Sequence, residues 1–248
     1  MSSRVRLVVF ACSAAGVAAL LFWGVAGLPA FGHYEGGYGN QLEREVLPER
    51  HTTNIVGAVV FDYRGLDTLG EEFILFTSVM GVALLLRKHR EQEVEEAPDD
   101  TARSDAVRIV GLLMVAPAFL LGLWLVAFGY VTPGGGFQGG VVLAGALLLV
   151  YLTGGLHRYA HLTPSSFVEP AEAAGAGGYV VLGLVGLVAE GAYLHNFLGA
   201  GERGTLYSGG SIPLLNWAAA LEVSAAMLIL FREFLEEYAA PVTRRQNT

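Results

Sequence analysis

The sequence predicts an all-α, polytopic membrane protein with about six transmembrane helices, two followed by four, and both termini on the cytoplasmic side. Three observations carry that prediction. The 248-residue chain is 53% hydrophobic, with a mean hydropathy of +0.50 and only 15% charged residues, whereas soluble domains carry about 25%. Its apolar residues gather into runs near the roughly 20 that cross a hydrocarbon core. Its 15 Lys and Arg residues are distributed unevenly: with the N-terminus inside, 11 fall in inner segments and 4 in outer ones, the bias that orients membrane proteins. A formal net charge of −8 argues against nucleic acid as a partner. The single cysteine, Cys12, leaves no internal disulfide.

The spans are expected near residues 5–28, 69–86, 107–130, 136–153, 177–198 and 213–231. The first follows Arg4 and Arg6, as a signal peptide would. Its apolar stretch exceeds the roughly 7–15 residues of a signal core, so it reads as a retained helix. Residues 29–50 read as a long outer loop rich in Gly, Glu and Tyr.

The second span is introduced by "FDYRGLDTLGEEF", with Asp62, Arg64, Asp67, Glu71 and Glu72. Thr68 and Glu71 have capping-box spacing, and Asp67 and Glu71, four apart, share a helix face. Two readings stand: a capped helix start with Arg64 neutralising a carboxylate, or an acidic entry to a cation path. Residues 87–105, "RKHREQEVEEAPDDTARSD", are charged and nearly devoid of large apolar groups, so they read as a solvated linker.

"VTPGGGFQGG", residues 131–140, joins the third and fourth spans. Pro133 cannot continue a helix and biases Thr132 to extended geometry. The turn is short, so the spans on either side are antiparallel neighbours. Gly136, Gly140 and Ala144 recur every four residues and offer a smooth stripe for that contact. Phe137 is the one large group there. The Lys-Ser/Thr pair of a phosphate loop is missing, and no basic residue supports an anion site at the new helix start. His157 and His161 sit in an inner loop beside Arg158 and read as interfacial rather than as a metal pair. No motif for a cofactor is present, and none is expected.

An ionisable side chain in a span costs roughly 2.5–3.5 kcal/mol on insertion scales, so each needs a partner, water or a function. Glu222 in "NWAAALEVSAAMLILF" lies near the middle of the sixth span, flanked at helical spacing by Ala218, Ala219, Ala225 and Ala226. Small residues on that face let another helix approach, so Glu222 is expected to point at protein. It is either a protonatable relay or cation ligand, or a neutral acid hydrogen-bonded across an interface. Glu190, in "GLVAEGAYLHNF", is expected in the outer half of the fifth span, with Gly183 and Gly186 on its face.

"TPGGGFQGGVVLAGALLLVYL", followed by "HNFLGAGERGTLYSGGSIPLLNWAAALEVSAAM", resembles the B subunit of Mrp-type multisubunit sodium/proton antiporters over residues 106–237. Pro133, Gly134, Gly135, Gly136, Phe137, Gly139 and Gly140 are its most specific part. "NIVGAVVFDYRGLDTLGEEFILFTSVMGVALLLR" is similar to the small E subunit of membrane-bound hydrogenases, which corresponds to the C-terminal end of the Mrp A subunit. The two resemblances together imply a fusion: a two-helix region at 1–88, a linker at 89–105, a four-helix B-type domain at 106–238 and a tail at 239–248. They imply a small subunit of a complex exchanging Na⁺ for H⁺ in a prokaryotic cell membrane. Its partners would be large antiporter-like subunits and those of the C, E, F and G types. They also imply that Asp67 and Glu71 in "DTLGE" hold Na⁺ and that Glu222 is an acid on the ion path, with weaker support for Glu190. The competing roles are the ion-translocating arm of a hydrogenase-like redox complex and a purely structural scaffold.

Overall fold

The computed structural model describes residues 3–28, 32, 36–87 and 104–239. The elements run α1 (Ser3–Ala26), α2 (Gly37–Arg50), α3 (Ile55–Ala58), a π-helical segment (Val59–Tyr63), α4 (Gly65–Arg87), α5 (Asp105–Ala127), α6 (Gly136–Leu162), α7 (Ser165–Glu190) and α8 (Ile212–Ala239). Among the described residues, six stretches are long and apolar enough to cross a membrane: Leu7–Ala26, Gly65–Leu86, Asp105–Ala127, Gly136–Leu162, Ser165–Glu190 and Ile212–Glu237. The protein is an all-α, multi-pass membrane protein, as its composition predicts. Of the expected linker, residues 89–103 lie outside the described residues, as do residues 240–248 of the expected tail.

The chain divides into two compact units, Met1–Gln41 and Leu42–Thr248. The first carries α1. In the second, α8 is the central element and packs against α4, α5, α6 and α7. One apolar cluster joins Leu42, Val46, Phe61, Tyr130, Tyr179, Ile212 and Leu215, with Leu69 against it. The other joins Val79, Ala144, Tyr159, Val168, Ala225, Ala226 and Ile229. The start of α4 therefore meets the start of α8, and the middle of α4 meets the middle of α8, so these two helices run in the same direction.

Several boundaries differ from those expected, each for a local reason. The expected outer loop contains α2, because Leu42 and Val46, one turn apart, are both buried against the second unit's core. The fourth span continues past residue 153 to Leu162 across a kink at Gly155, whose φ of 73° breaks the helical path. The fifth span begins at Ser165 and stops at Glu190, because Gly191 takes the left-handed conformation (φ 77°) that ends helices.

The glycine stripe also has a different partner. A methyl at Gly136 would strike the Asn216 carbonyl and lie 2.9 Å from the Ala219 Cβ, and one at Gly140 would lie 2.9 Å from the Val223 Cβ. Gly136 and Gly140 thus seat α6 on α8. The contact with α5 uses Gly139, where a methyl would lie 2.9 Å from the Gly122 carbonyl oxygen. Gly183 and Gly186 pack against the returning segment at Tyr193 and His195 rather than against a helix.

Candidate functional site

At the start of α4 a polar rim is built from three short elements. The end of α2 clamps the π-helical segment: Arg50 pairs with Asp62 and lies 5.4 Å over the Tyr63 ring. The Tyr63 hydroxyl donates to Glu49 at 2.5 Å. Burial, and then that hydrogen bond, pushes the Tyr63 hydroxyl well above the usual tyrosine range, so it remains a donor. Thr52 and Thr53 donate to the carbonyls of Tyr130 and Val131. The Asn54 amide donates to the carbonyls of Gly129 (2.5 Å) and Thr132 (3.1 Å). Three consecutive polar side chains thereby satisfy four consecutive carbonyls of the turn that leaves α5. This seam holds the α3–α4 region against the glycine turn.

The glycine turn needs its glycines twice over. Gly134 and Gly135 have φ values of 154° and 150°, where a side chain is strained. The turn then faces a cavity of about 180 Å³ lined by Thr68, Glu71, Gly134, Gly135, Gly136 and Gln138, with Phe61 and Phe137 among its apolar walls. Of the four candidate carboxylates, Glu71 is the one that opens on this cavity. Asp67 is exposed one turn away and accepts from Arg64 Nε at 2.6 Å, the surface neutralisation expected of Arg64. The capping box is not formed. α4 starts at Gly65 rather than after Thr68, and the Thr68 hydroxyl donates to the Val60 carbonyl at 2.5 Å.

Glu222 lies in the protein interior, as its small neighbours predict, but it is not alone. Glu72, Glu172 and Glu222 are 1%, 1% and 0% exposed. Both carboxyl oxygens of Glu72 and of Glu222, and Oε1 of Glu172, are buried without a hydrogen-bond partner. A methyl at Gly175 of α7 would lie 2.7 Å from the Cα of Glu222, so the α7 backbone rests directly on Glu222. Glu190, by contrast, is the last residue of α7 and is exposed. The fifth span runs to Glu190 itself, so this residue stands at the very end of the span, where Gly191 stops the helix. Among the described residues, no group of three His, Cys, Asp or Glu side chains gathers closely enough to hold a metal ion.

Glu172 and the inward face of Glu72 are not legible in the sequence pattern. A span starting at residue 177 leaves Glu172 in a loop, whereas the helix beginning at Ser165 puts it two turns deep. Glu71 and Glu72 differ by about 100° around a helix, and nothing in the local sequence decides which of them turns inward.

The domain model described as related to the MnhB subunit of Na⁺/H⁺ antiporters matches residues 106–229. The chain belongs to that family. Comparison with whole chains extends the likeness beyond the matched segment. An uncharacterized protein of Methanocaldococcus jannaschii is 32% identical over 197 residues, covering 70% of this chain and 74% of that protein. A probable K⁺/H⁺ antiporter A/B protein of Rhizobium meliloti is 32% identical over 124 residues, 42% of this chain but 12% of that much longer protein. Among solved structures, a chain of the membrane-bound sulfane sulfur reductase, an archaeal respiratory membrane complex, superimposes with a TM-score of 0.71 at 31% identity. That match covers 93% of this chain and 98% of the other. A chain of the Mrp complex from Dietzia sp. DQ12-45-1b shares the fold, with a TM-score of 0.68 at 22% identity over 95% of this chain and 26% of that one. This MnhB-related protein is thus a membrane subunit of an Mrp-like antiporter or of a related complex, and its partners are other membrane subunits.

Proposed function

We propose that this subunit contributes to the sodium pathway of a cation/proton antiporter complex and to its assembly. The observation that carries the reading is Glu71 opening on the cavity beside the glycine turn, with the Thr68 hydroxyl, the Gln138 amide and the Gly134–Gly136 backbone as further lining groups. Oxygen donors of this kind suit a hard cation, and an ionised carboxylate attracts one. Glu71 is the cation ligand, with Asp67 one turn away on the approach. Glu222 is the buried acid deeper in the subunit, the protonatable relay that the exchange requires. The complex sits in a prokaryotic cell membrane with both termini of this chain in the cytoplasm, beside large antiporter-like subunits and subunits of the C, E, F and G types.

The test is replacement of Glu71 and, separately, Glu222 by Gln in the assembled complex. Each variant is expected to assemble and to lose Na⁺/H⁺ exchange in everted membrane vesicles. Unchanged sodium movement in both would leave the chain as a scaffold.

A redox-linked host is the second reading. It is supported by the near-complete mutual coverage with a chain of a respiratory complex. Genes for hydrogenase-like soluble subunits flanking the coding sequence would favour it; antiporter subunits alone would favour the first reading.

A further inference from the structure

Glu72, Glu172 and Glu222 are three of the largest fully buried side chains in the molecule, and they occupy α4, α7 and α8, which all pack on one another. An ionised carboxylate buried without a donor is costly. Each of these groups therefore needs a counter-charge: a proton or a metal cation. A cation would require several oxygen ligands around it, and among the described residues no three His, Cys, Asp or Glu side chains gather to hold one. Gly175 of α7 lies against Glu222, and the small residues Ala219, Ala225 and Ala226 stand three and four positions from it on α8. A proton needs only the carboxyl itself.

The heights of the three groups follow from the helices. Val79 and Ile229, which belong to one cluster, each lie seven residues beyond Glu72 and Glu222, so those two glutamates sit at a comparable level on parallel helices. Glu172 is three residues from Gly175, the residue that touches Glu222, which places it about 4.5 Å along the seam at 1.5 Å per residue. Helical side chains lean toward their own N-terminus. Glu72 and Glu222 therefore lean toward the glycine-turn end, and Glu172, on the antiparallel α7, leans toward the opposite end.

We infer that Glu72, Glu222 and Glu172 form a proton line through the α4–α7–α8 seam, separate from the cation site at Glu71. Glu72 and Glu222 are its outer stage and Glu172 is its inner stage. Each transfer takes a proton from a carboxylic O–H, leaving a carboxylate, and delivers it through intervening water to the next carboxylate, which becomes the acid. Charge and protons balance without any other reactant. Ionisable groups on the elements around the line include Glu71 on α4, Tyr159 on α6, Glu169 and Tyr179 on α7, and Arg232 and Glu233 on α8. Of these, Glu169 lies three residues from Glu172 on α7. The consequence is a division of labour within one turn of α4: Glu71 faces the cation and its neighbour Glu72 faces the proton.

This inference rests on the antiporter reading, and its test reads the two ions separately. In the reconstituted complex, Glu72→Gln and Glu172→Gln are expected to retain Na⁺-dependent protection against thermal unfolding while proton movement into the vesicles falls by roughly a hundredfold. Glu71→Gln is expected to lose the Na⁺ protection. If Glu71→Gln keeps its Na⁺ response, the cation reading fails by itself. If both buried variants pump protons normally, the line fails by itself. Should the Gln variants not assemble, the wild-type complex supplies the reading by infrared spectroscopy in H₂O and D₂O. The proton line requires a protonated-carboxyl band that shifts on deuteration and responds to an imposed pH gradient. A band that does neither overturns it.

Discussion

Gly136 shows how much of this protein depends on single atoms. A methyl group there meets the backbone of Asn216 and the side chain of Ala219, and neither can move without shifting α8. Gly136→Ala is expected to destabilise the fold by about 1–3 kcal/mol, as overpacking does, visible as a lowered melting temperature or loss of the chain from the purified complex. Gly145→Ala, with nothing within 4 Å of the added carbon, should leave both unchanged. The sequence reveals the small-residue stripe but not its partner, because a four-residue period serves any neighbouring helix equally well. The same limit applies to the carboxylates. Depth along a span can be counted, so Glu222 stands out in the sequence. Direction around a helix cannot be counted without its neighbours, so Glu72 hides beside Glu71.

At the scale of elements, the seam of Thr52, Thr53 and Asn54 stands out. A turn leaving a membrane helix exposes carbonyls that need donors, and here they are met by a segment roughly 75 residues earlier in the chain. Asn54 also accepts from the Val56 amide at 3.1 Å as the N-cap of α3. Asn54→Ala removes both functions and is expected to cost about 2 kcal/mol. Faster amide hydrogen exchange across residues 54–64 would register the loss, with the centre of α8 unaffected. A polar "TTN" before an apolar helix reads locally as a cap, and only the fold shows its distant acceptors. The π-helical segment hides the start of α4 in a similar way. It feeds directly into α4 and moves the helix start upstream of Thr68, which turns an apparent capping box into two unrelated side chains.

At the scale of the molecule, the class, the number of spans and the glycine turn are legible because bilayer thickness imposes them on composition and run length. The ends of the spans are not. They depend on where a glycine can turn left-handed, as at Gly191, or where a helix begins among polar residues, as at Ser165. Glu172 is hidden by that second effect.

The zipper between residues 52–54 and 129–132 has one more consequence. It lies on both sides of the charged segment 88–103, and it works by hydrogen bonds and apolar packing alone, reinforced by α4 against α8. Continuity of the polypeptide is therefore not what keeps the two parts together. Expressed as two separate polypeptides broken within 88–103, the halves should find each other in the bilayer and co-purify, and the split protein should restore growth to a strain lacking the intact one. Asn54→Ala in the first half should weaken that complementation. The chain would then be a pair of proteins that happen to share one reading frame.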